Sequence, residues 1–514
     1  DRGTLAQSMM LLRRAYRAPQ RAAVLRHAAD ALVCHHLHLS RAAPLCSAAT
    51  PSSRMPRFSE VKRAASLAQI YKENTTLISS EEASSFWSAL GRLSARDPSQ
   101  QRWIRHHHDV FDEVREHTRT LMPQMSPTEL TRSLYGAFLA GMDVRPTWSA
   151  WWADAGRYII SGLKDLNIKQ MSVLLQSFHR LKPPPEQLFE AVVREIETRD
   201  LSELTALDMC SLSLRIGNLD NPSKPLMSKL ATAAAPWLHS LEPKLLVMLC
   251  SSVSKVGPDA PLFYSGLTEQ LPLRLPNMEP RPAAIILQAC MYMDWMPMPA
   301  KIKLLDTFVE DAGGRLELFD ANALSCMLQG VSRAPFDVPH NPETLALISR
   351  LIDVCTYRIE DFKPTELVNI ARATATIKEK HKIRSPADFY RALSLQAAKH
   401  LHALSSFEIT GLIWAYAKAG VWSYSLFGPL MKHVTSRHET ACSVRVLVGF
   451  SSSTHAGRSL RSFIYLISSA CSRYRGRVCG FKSIRLSSRT RYSRPSNGGE
   501  TSSRQLSSKG PRKI

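Results

Sequence analysis

Few residues in this 514-residue chain combine the type and the spacing that chemistry needs. His106, His107 and His108 carry imidazoles able to ligate a metal. Consecutive helical positions are about 100° apart, so three in a row fan around the axis and read as a solvated face. The ten cysteines include no CxxC pair and no Cys/His set at zinc-ligand spacing. The chain has no phosphate-cradling glycine loop, GxSxG elbow, HExxH pair or paired-acid constellation. The expectation is a protein that binds rather than catalyses, with no cofactor, metal or small-molecule substrate.

What remains is a recurring polar line. Gln176, Gln288 and Gln329 present amides, and Arg180, Lys255, Arg333 and Arg372 present cations. All seven fall at two fixed offsets of a repeating unit. Amides and guanidinium groups can hydrogen-bond base edges, and cations can neutralise phosphates, so these seven are the expected RNA-binding residues. The competing account is the wet side of amphipathic helices, and the residues alone leave both open. Trp414 and Tyr416 could stack on bases, but the position of Tyr416 assigns it to the core.

The elements that carry this line form an internal repeat. An apolar anchor recurs at Met125, Leu166, Leu204, Leu241, Met278, Phe319, Phe362 and Phe407, at intervals of 37–45 residues. A helix start follows each anchor. Ser126-Pro127-Thr128-Glu129 is a capping box with proline in the first turn, and Lys363-Pro364-Thr365-Glu366 repeats its proline and acid. Offsets 5, 8, 9 and 12 from the anchor are mostly apolar, as in Met171, Leu174, Leu175 and Phe178. At 3.6 residues per turn they make one continuous stripe. Offsets 3, 10 and 14 lie opposite. Lys169, Lys244, Arg281 and Asn322 hold offset 3, and the polar line holds offsets 10 and 14. A breaker such as Gly141, Gly257-Pro258, Pro342 or Gly420 closes each first helix, and a second amphipathic helix follows. A helix pair of this size cannot bury its faces alone. The sequence therefore predicts an all-α fold, an α-solenoid of about seven to eight helix hairpins over residues 125–440. Residues 59–124 read as a helical cap or degenerate repeat, with a weaker unit near Ile78.

The net charge of +22 does not belong to this body. Residues 1–58 hold nine Arg against Asp1 and Asp30, and residues 441–514 hold fifteen Lys and Arg against Glu500. Residues 59–440 keep a net charge of +1. Arg13, Arg17 and Arg21 line one helix face in an acid-poor start, the composition of an organellar transit peptide. The chain opens on Asp1 and so reads either as a fragment or as starting upstream of an initiator at Met9 or Met10. The Ser/Arg-rich stretch 441–514 predicts a disordered tail. It is either an arm that grips RNA phosphates or translated non-coding sequence from a faulty gene model. Cys210, Cys250, Cys290 and Cys326 sit in apolar-periodic segments and read as buried reduced thiols. No run of 18 apolar residues occurs, so no membrane span is expected.

Three segments resemble a known family: Phe319-Asp-Ala-Asn-Ala-Leu324, Phe362-Lys-Pro-Thr-Glu-Leu-Val-Asn-Ile-Ala371 and Phe407-Glu-Ile-Thr-Gly-Leu-Ile-Trp-Ala-Tyr-Ala-Lys-Ala-Gly420. They are similar to the heptatricopeptide and octotricopeptide repeats of organellar proteins, relatives of the FAST-kinase-domain proteins with a C-terminal RAP domain. The likeness covers about residues 125–440 and is close in the last three units. It implies a mitochondrial or plastid protein acting in RNA processing, RNA stability or a ribosomal assembly, with single-stranded or ribosomal RNA and other organellar proteins as partners. No RAP-like segment follows the last repeat. A HEAT- or armadillo-like scaffold that binds only proteins is the alternative reading.

Overall fold

The computed structural model describes residues 57–142, 146–181, 185–334, 342–381 and 387–436. The Arg/Ser tail and all but two residues of the expected transit peptide lie outside the described residues. Twenty α-helices and no strand occur among the described residues. They are α1 (Ala64–Glu73), α2 (Ser80–Arg96), α3 (Pro98–His106), α4 (Asp112–Leu121), α5 (Pro127–Leu139), α6 (Ser149–Ser161) and α7 (Ile168–Phe178). There follow α8 (Glu186–Thr198), α9 (Ala206–Gly217), α10 (Lys224–Ala234), α11 (Pro243–Val256), α12 (Pro261–Arg274), α13 (Pro280–Tyr292) and α14 (Met298–Gly313). The last six are α15 (Ala321–Arg333), α16 (Pro342–Tyr357), α17 (Pro364–His381), α18 (Ala387–Lys399), α19 (Ser406–Ala419) and α20 (Tyr424–Ser436). None of them is long and apolar enough to cross a membrane.

The helices form two layers. First helices α2, α5, α7, α9, α11, α13, α15, α17 and α19 each pack on the next in that order. Second helices α1, α4, α6, α8, α10, α12, α14, α16, α18 and α20 do the same on the other side. The all-α solenoid is therefore present, and its first helices all run one way because each is followed by a returning partner. The segment beginning at Ile78 supplies a ninth first helix, α2, with α3 inserted before its partner α4.

Local chemistry explains where the first helices begin. Ser79 with Glu82, Ser126 with Glu129, Asn167 with Gln170, Thr205 with Asp208 and Ser405 with Glu408 all make both bonds of a capping box. The anchor stands immediately before each cap and is buried, as Leu166, Leu241, Met278 and Phe319 are. This geometry corrects the last unit. Phe407 is only half-buried, whereas Leu404, next to the Ser405 cap, is buried. The anchor is Leu404, so the last interval is 42 residues rather than 45. Ile409, Leu412, Ile413 and Tyr416 then fall on offsets 5, 8, 9 and 12, and all are buried. Gly257 and Gly420 close their helices in the left-handed region, at φ 62° and 65°.

The two layers are not equally tight. A Cβ on Gly136 of α5 would lie 2.1 Å from the Trp87 carbonyl oxygen of α2. A Cβ on Gly330 of α15 would lie 3.1 Å from the Gln288 Cα of α13. In the second layer, Gly156 and Gly266 meet mainly side chains, and neighbouring backbones stay farther apart. Closer spacing in one layer bends a stack toward that layer, so the first helices line the inner face. The core between the layers is continuous and apolar, and Cys210, Cys250, Cys290, Cys326 and Cys355 are buried free thiols within it.

Candidate nucleic-acid interface

The inner face inherits a polarity from its helices. Carboxylates stand at or near the starts of first helices, at Glu129, Asp208, Glu366 and Glu408, and Asp320 is an N-cap. Cations stand in the last turns, at Arg215, Lys255, Arg333 and Lys418. Each placement complements the helix dipole. Because the first helices run one way, the acids collect along one rim of the array and the cations along the other.

Six of the seven expected residues reach this face, and most touch the adjacent unit. The exposed Arg180 guanidinium lies 4.6 Å from the Phe138 ring of the preceding unit, and exposed Arg333 lies 4.9 Å from the Tyr292 ring. Lys255 Nζ donates to Asn218 Oδ1 at 2.6 Å. Arg372 stands 5.7 Å from the ring of Trp414, and Lys418 covers the same ring at 4.8 Å. Such cation–ring pairs are worth about 0.5–1 kcal/mol at exposed sites. They also hold the guanidinium plane still. Gln176 is half-buried and accepts from Arg215 Nη2 at 2.6 Å. Gln288 is half-buried at the crossing with Gly330.

Gln329 departs from the expectation. It is 8% exposed, and its Nε2 turns back to the Ser325 carbonyl (3.2 Å) and hydroxyl (3.3 Å). The adjacent Gly330 brings α15 against α13 closely enough to cover it. Three of the four offset-3 residues are likewise committed. Lys169 pairs with Asp208 at 2.9 Å, Arg281 faces Asp320 at 3.9 Å, and Asn322 donates to Glu366 at 3.1 Å, each tying one unit to the next. The line is also interrupted by an apolar spot, Leu214 and Met248 with Leu245 against them.

Two further sets of residues escape the offset pattern. The corrected register of the last unit moves Trp414 to offset 10 and Lys418 to offset 14, so both join the line. Unit three contributes Arg215 at offset 11, which donates to Ser172 Oγ at 2.9 Å and to Gln176 Oε1. Separately, Arg199, Arg274, Arg315 and Arg358 reach the backbone carbonyls of earlier anchors Leu166, Leu241, Met278 and Phe319. These clamps were legible as an arginine four or five residues before the next anchor. They hold the array together and take four cations away from any ligand.

The histidine run does not converge. His107 stacks on Trp103 with 4.6 Å between ring centres, and no group of three His, Cys, Asp or Glu side chains among the described residues is placed to hold a metal. Tyr416 is buried against Tyr390 and hydrogen-bonded to Ser394, while Trp414 is half-buried.

No protein-family model matches the chain, and no curated protein matches it. Among solved structures it aligns with a chain titled "Homology model of the full-length AP-3 complex in an intermediate open conformation", at 12% identity and a TM-score of 0.33. The alignment covers 79% of this chain and 78% of that one.

Proposed function

We propose that this chain is an organellar RNA-binding helical repeat protein, mitochondrial rather than plastid, acting by binding in RNA processing, RNA stability or a ribosomal assembly. The supporting observation is the inner-face row of Arg180, Lys255, Arg333 and Arg372 beside the amides Gln176 and Gln288, with rings of adjacent units under three of the cations. Cations that neutralise phosphates, amides that can meet base edges and fixed planes that can stack are what single-stranded RNA requires. The resemblance of the last three units to organellar repeat proteins and the Arg-rich start of the chain supply the compartment.

The test is binding of the full chain to fluorescein-labelled single-stranded RNA over a range of salt. Changing Arg180, Lys255, Arg333 and Arg372 together to Ala should lower the slope of log affinity against log salt by about 0.7 for each phosphate no longer neutralised. Changing Gln176 and Gln288 to Ala should relax base preference and leave that slope alone. A quadruple variant that binds as well as its parent removes RNA from the solenoid. Residues 1–60 fused to a fluorescent protein should enter mitochondria, and a cytosolic signal refutes the compartment.

A protein scaffold is the second reading, and one observation favours it. Trp237, Leu273, Leu318 and Tyr357, from four consecutive units, are exposed at the rim opposite the cations, Tyr357 at 91%. Loss of copurifying proteins from a variant with these four changed to Ser, with RNA affinity intact, would move the function to that rim.

A further inference from the structure

At offset 11 the first helices carry Ala89, Gly136, Ser177, Ser252, Ala289, Gly330, Ala373 and Ala415, counting α2 from Ile78 and α19 from Leu404. Small residues are needed there because adjacent first helices cross backbone against backbone. The one remaining first helix, α9, has Arg215 instead. Its nearest approach to α11 is displaced to Gly217, where a Cβ would meet Ser252 Cα at 3.2 Å. On the other side, α7 and α9 are the least intimately packed neighbours in the first-helix layer. The Arg215 side chain fills that gap.

The company it keeps there is unusual. Its Nη1 donates to Ser172 Oγ (2.9 Å) and Nη2 to Gln176 Oε1 (2.6 Å), both neutral acceptors on α7. Its Nε is buried with no hydrogen-bond partner among the described residues. Of the other part-buried arginines, Arg115 has Asp112 and Glu116, Arg199 has Glu195, Arg315 has Asp311, Arg358 has Asp361, and Arg372 stands against the Trp414 ring. Arg274 ends on two backbone carbonyls. No carboxylate among the described residues lies within 4.0 Å of Arg215. Asp208, two turns earlier on α9, is committed to Lys169 and Thr205. Burial pushes the guanidinium below its usual range, yet arginine stays charged in proteins. Asp208 and Tyr135 favour the charge only from a distance; buried charges are normally paired by contact, and among the described residues this cation has no contacting anion.

We infer that Arg215 is the gripping point for a phosphate group on the inner face, between the second and third units. Naming an RNA phosphate as the ligand rests on the RNA reading above, but the anion site itself does not. A planar fork held by two neutral acceptors keeps the second N–H of Nη1 and of Nη2 for an oxyanion, a paired geometry at which Arg excels over Lys.

The experiment compares the full chain with R215M and R215K. The measurements are anisotropy of a fluorescein-labelled twelve-nucleotide oligouridine over a salt series, and melting temperature with and without inorganic pyrophosphate. R215M should bind the RNA about tenfold more weakly, with a salt slope shallower by about 0.7. Its unliganded melting temperature should equal or exceed that of the wild type, because an uncompensated buried charge has gone. R215K should recover the slope but not the full affinity.

R215M that melts well below wild type, or fails to fold, overturns the inference by making Arg215 a structural tie. R215M that binds RNA like wild type also overturns it and leaves the RNA reading standing. Wild type that ignores RNA but is stabilised by pyrophosphate, with R215M unresponsive, supports the site with free phosphate as its ligand and overturns the RNA reading. Wild type indifferent to both ligands overturns both.

Discussion

Arg315 tests the claim that arginine clamps hold the units in register. Its Nη1 donates to the Met278 carbonyl at 2.9 Å and Nη2 to the Leu275 carbonyl at 3.3 Å, while Nε meets Asp311 at 3.0 Å. A hydrogen bond from a charged donor contributes about 1.5–3 kcal/mol. The side chain is 21% exposed, so solvent weakens each bond toward the lower end of that range. Two carbonyl bonds then sum to about 3 kcal/mol. Removing the guanidinium also strands Asp311, which is 12% exposed, at a further cost of about 1 kcal/mol. R315A should therefore lose roughly 3–4 kcal/mol, and R315K, with one point charge for two carbonyls, should recover about half. Urea unfolding followed by far-UV circular dichroism measures the total. Amide hydrogen exchange locates the loss in the units anchored by Met278 and Phe319, since a repeat array need not unfold as one body. A loss under about 1 kcal/mol, or R315K as stable as wild type, would refute the clamp.

Three other outcomes follow from the same geometry. G136A should destabilise by about 2–3 kcal/mol or more, because its Cβ would collide with the Trp87 carbonyl. G313A in α14, whose Cβ would meet nothing within 4 Å, should be neutral or slightly stabilising in the same urea titration. Burial raises the Asp208 carboxyl, but hydrogen bonds from Thr205 and Lys169 outweigh it and hold the group below its ordinary 3.8. Its contribution should thus be complete above pH 3.8 and fade as pH falls through the lower folded value, and D208N should flatten that part of the stability profile. Burial pushes the Cys210 and Cys326 thiols up to about 12, so iodoacetamide at mildly alkaline pH should label neither until the chain is unfolded.

The sequence by itself determined the class of fold, because class depends on patterns that survive without coordinates. Apolar offsets 5, 8, 9 and 12 give a helical stripe, capping residues and prolines give the starts, and recurrence near forty residues gives a stack. The cap also had priority over the hydrophobic match in the last unit. Ser405 and Glu408 could have placed the anchor at Leu404, but Phe407 matched the phenylalanines of the two previous units and drew the register three residues late.

Offsets on a single helix report direction and not neighbours, so the tertiary structure alone decided what the polar residues do. Gln176, Gln329 and Lys169 look equally wet on a helical wheel. In the array Gln176 holds Arg215, Gln329 is covered because Gly330 admits α13, and Lys169 is spent on Asp208. That no carboxylate among the described residues contacts Arg215 depends on α7, α9 and the gap between them. A pairing is a property of two surfaces brought together, and sequence periodicity describes only one surface at a time.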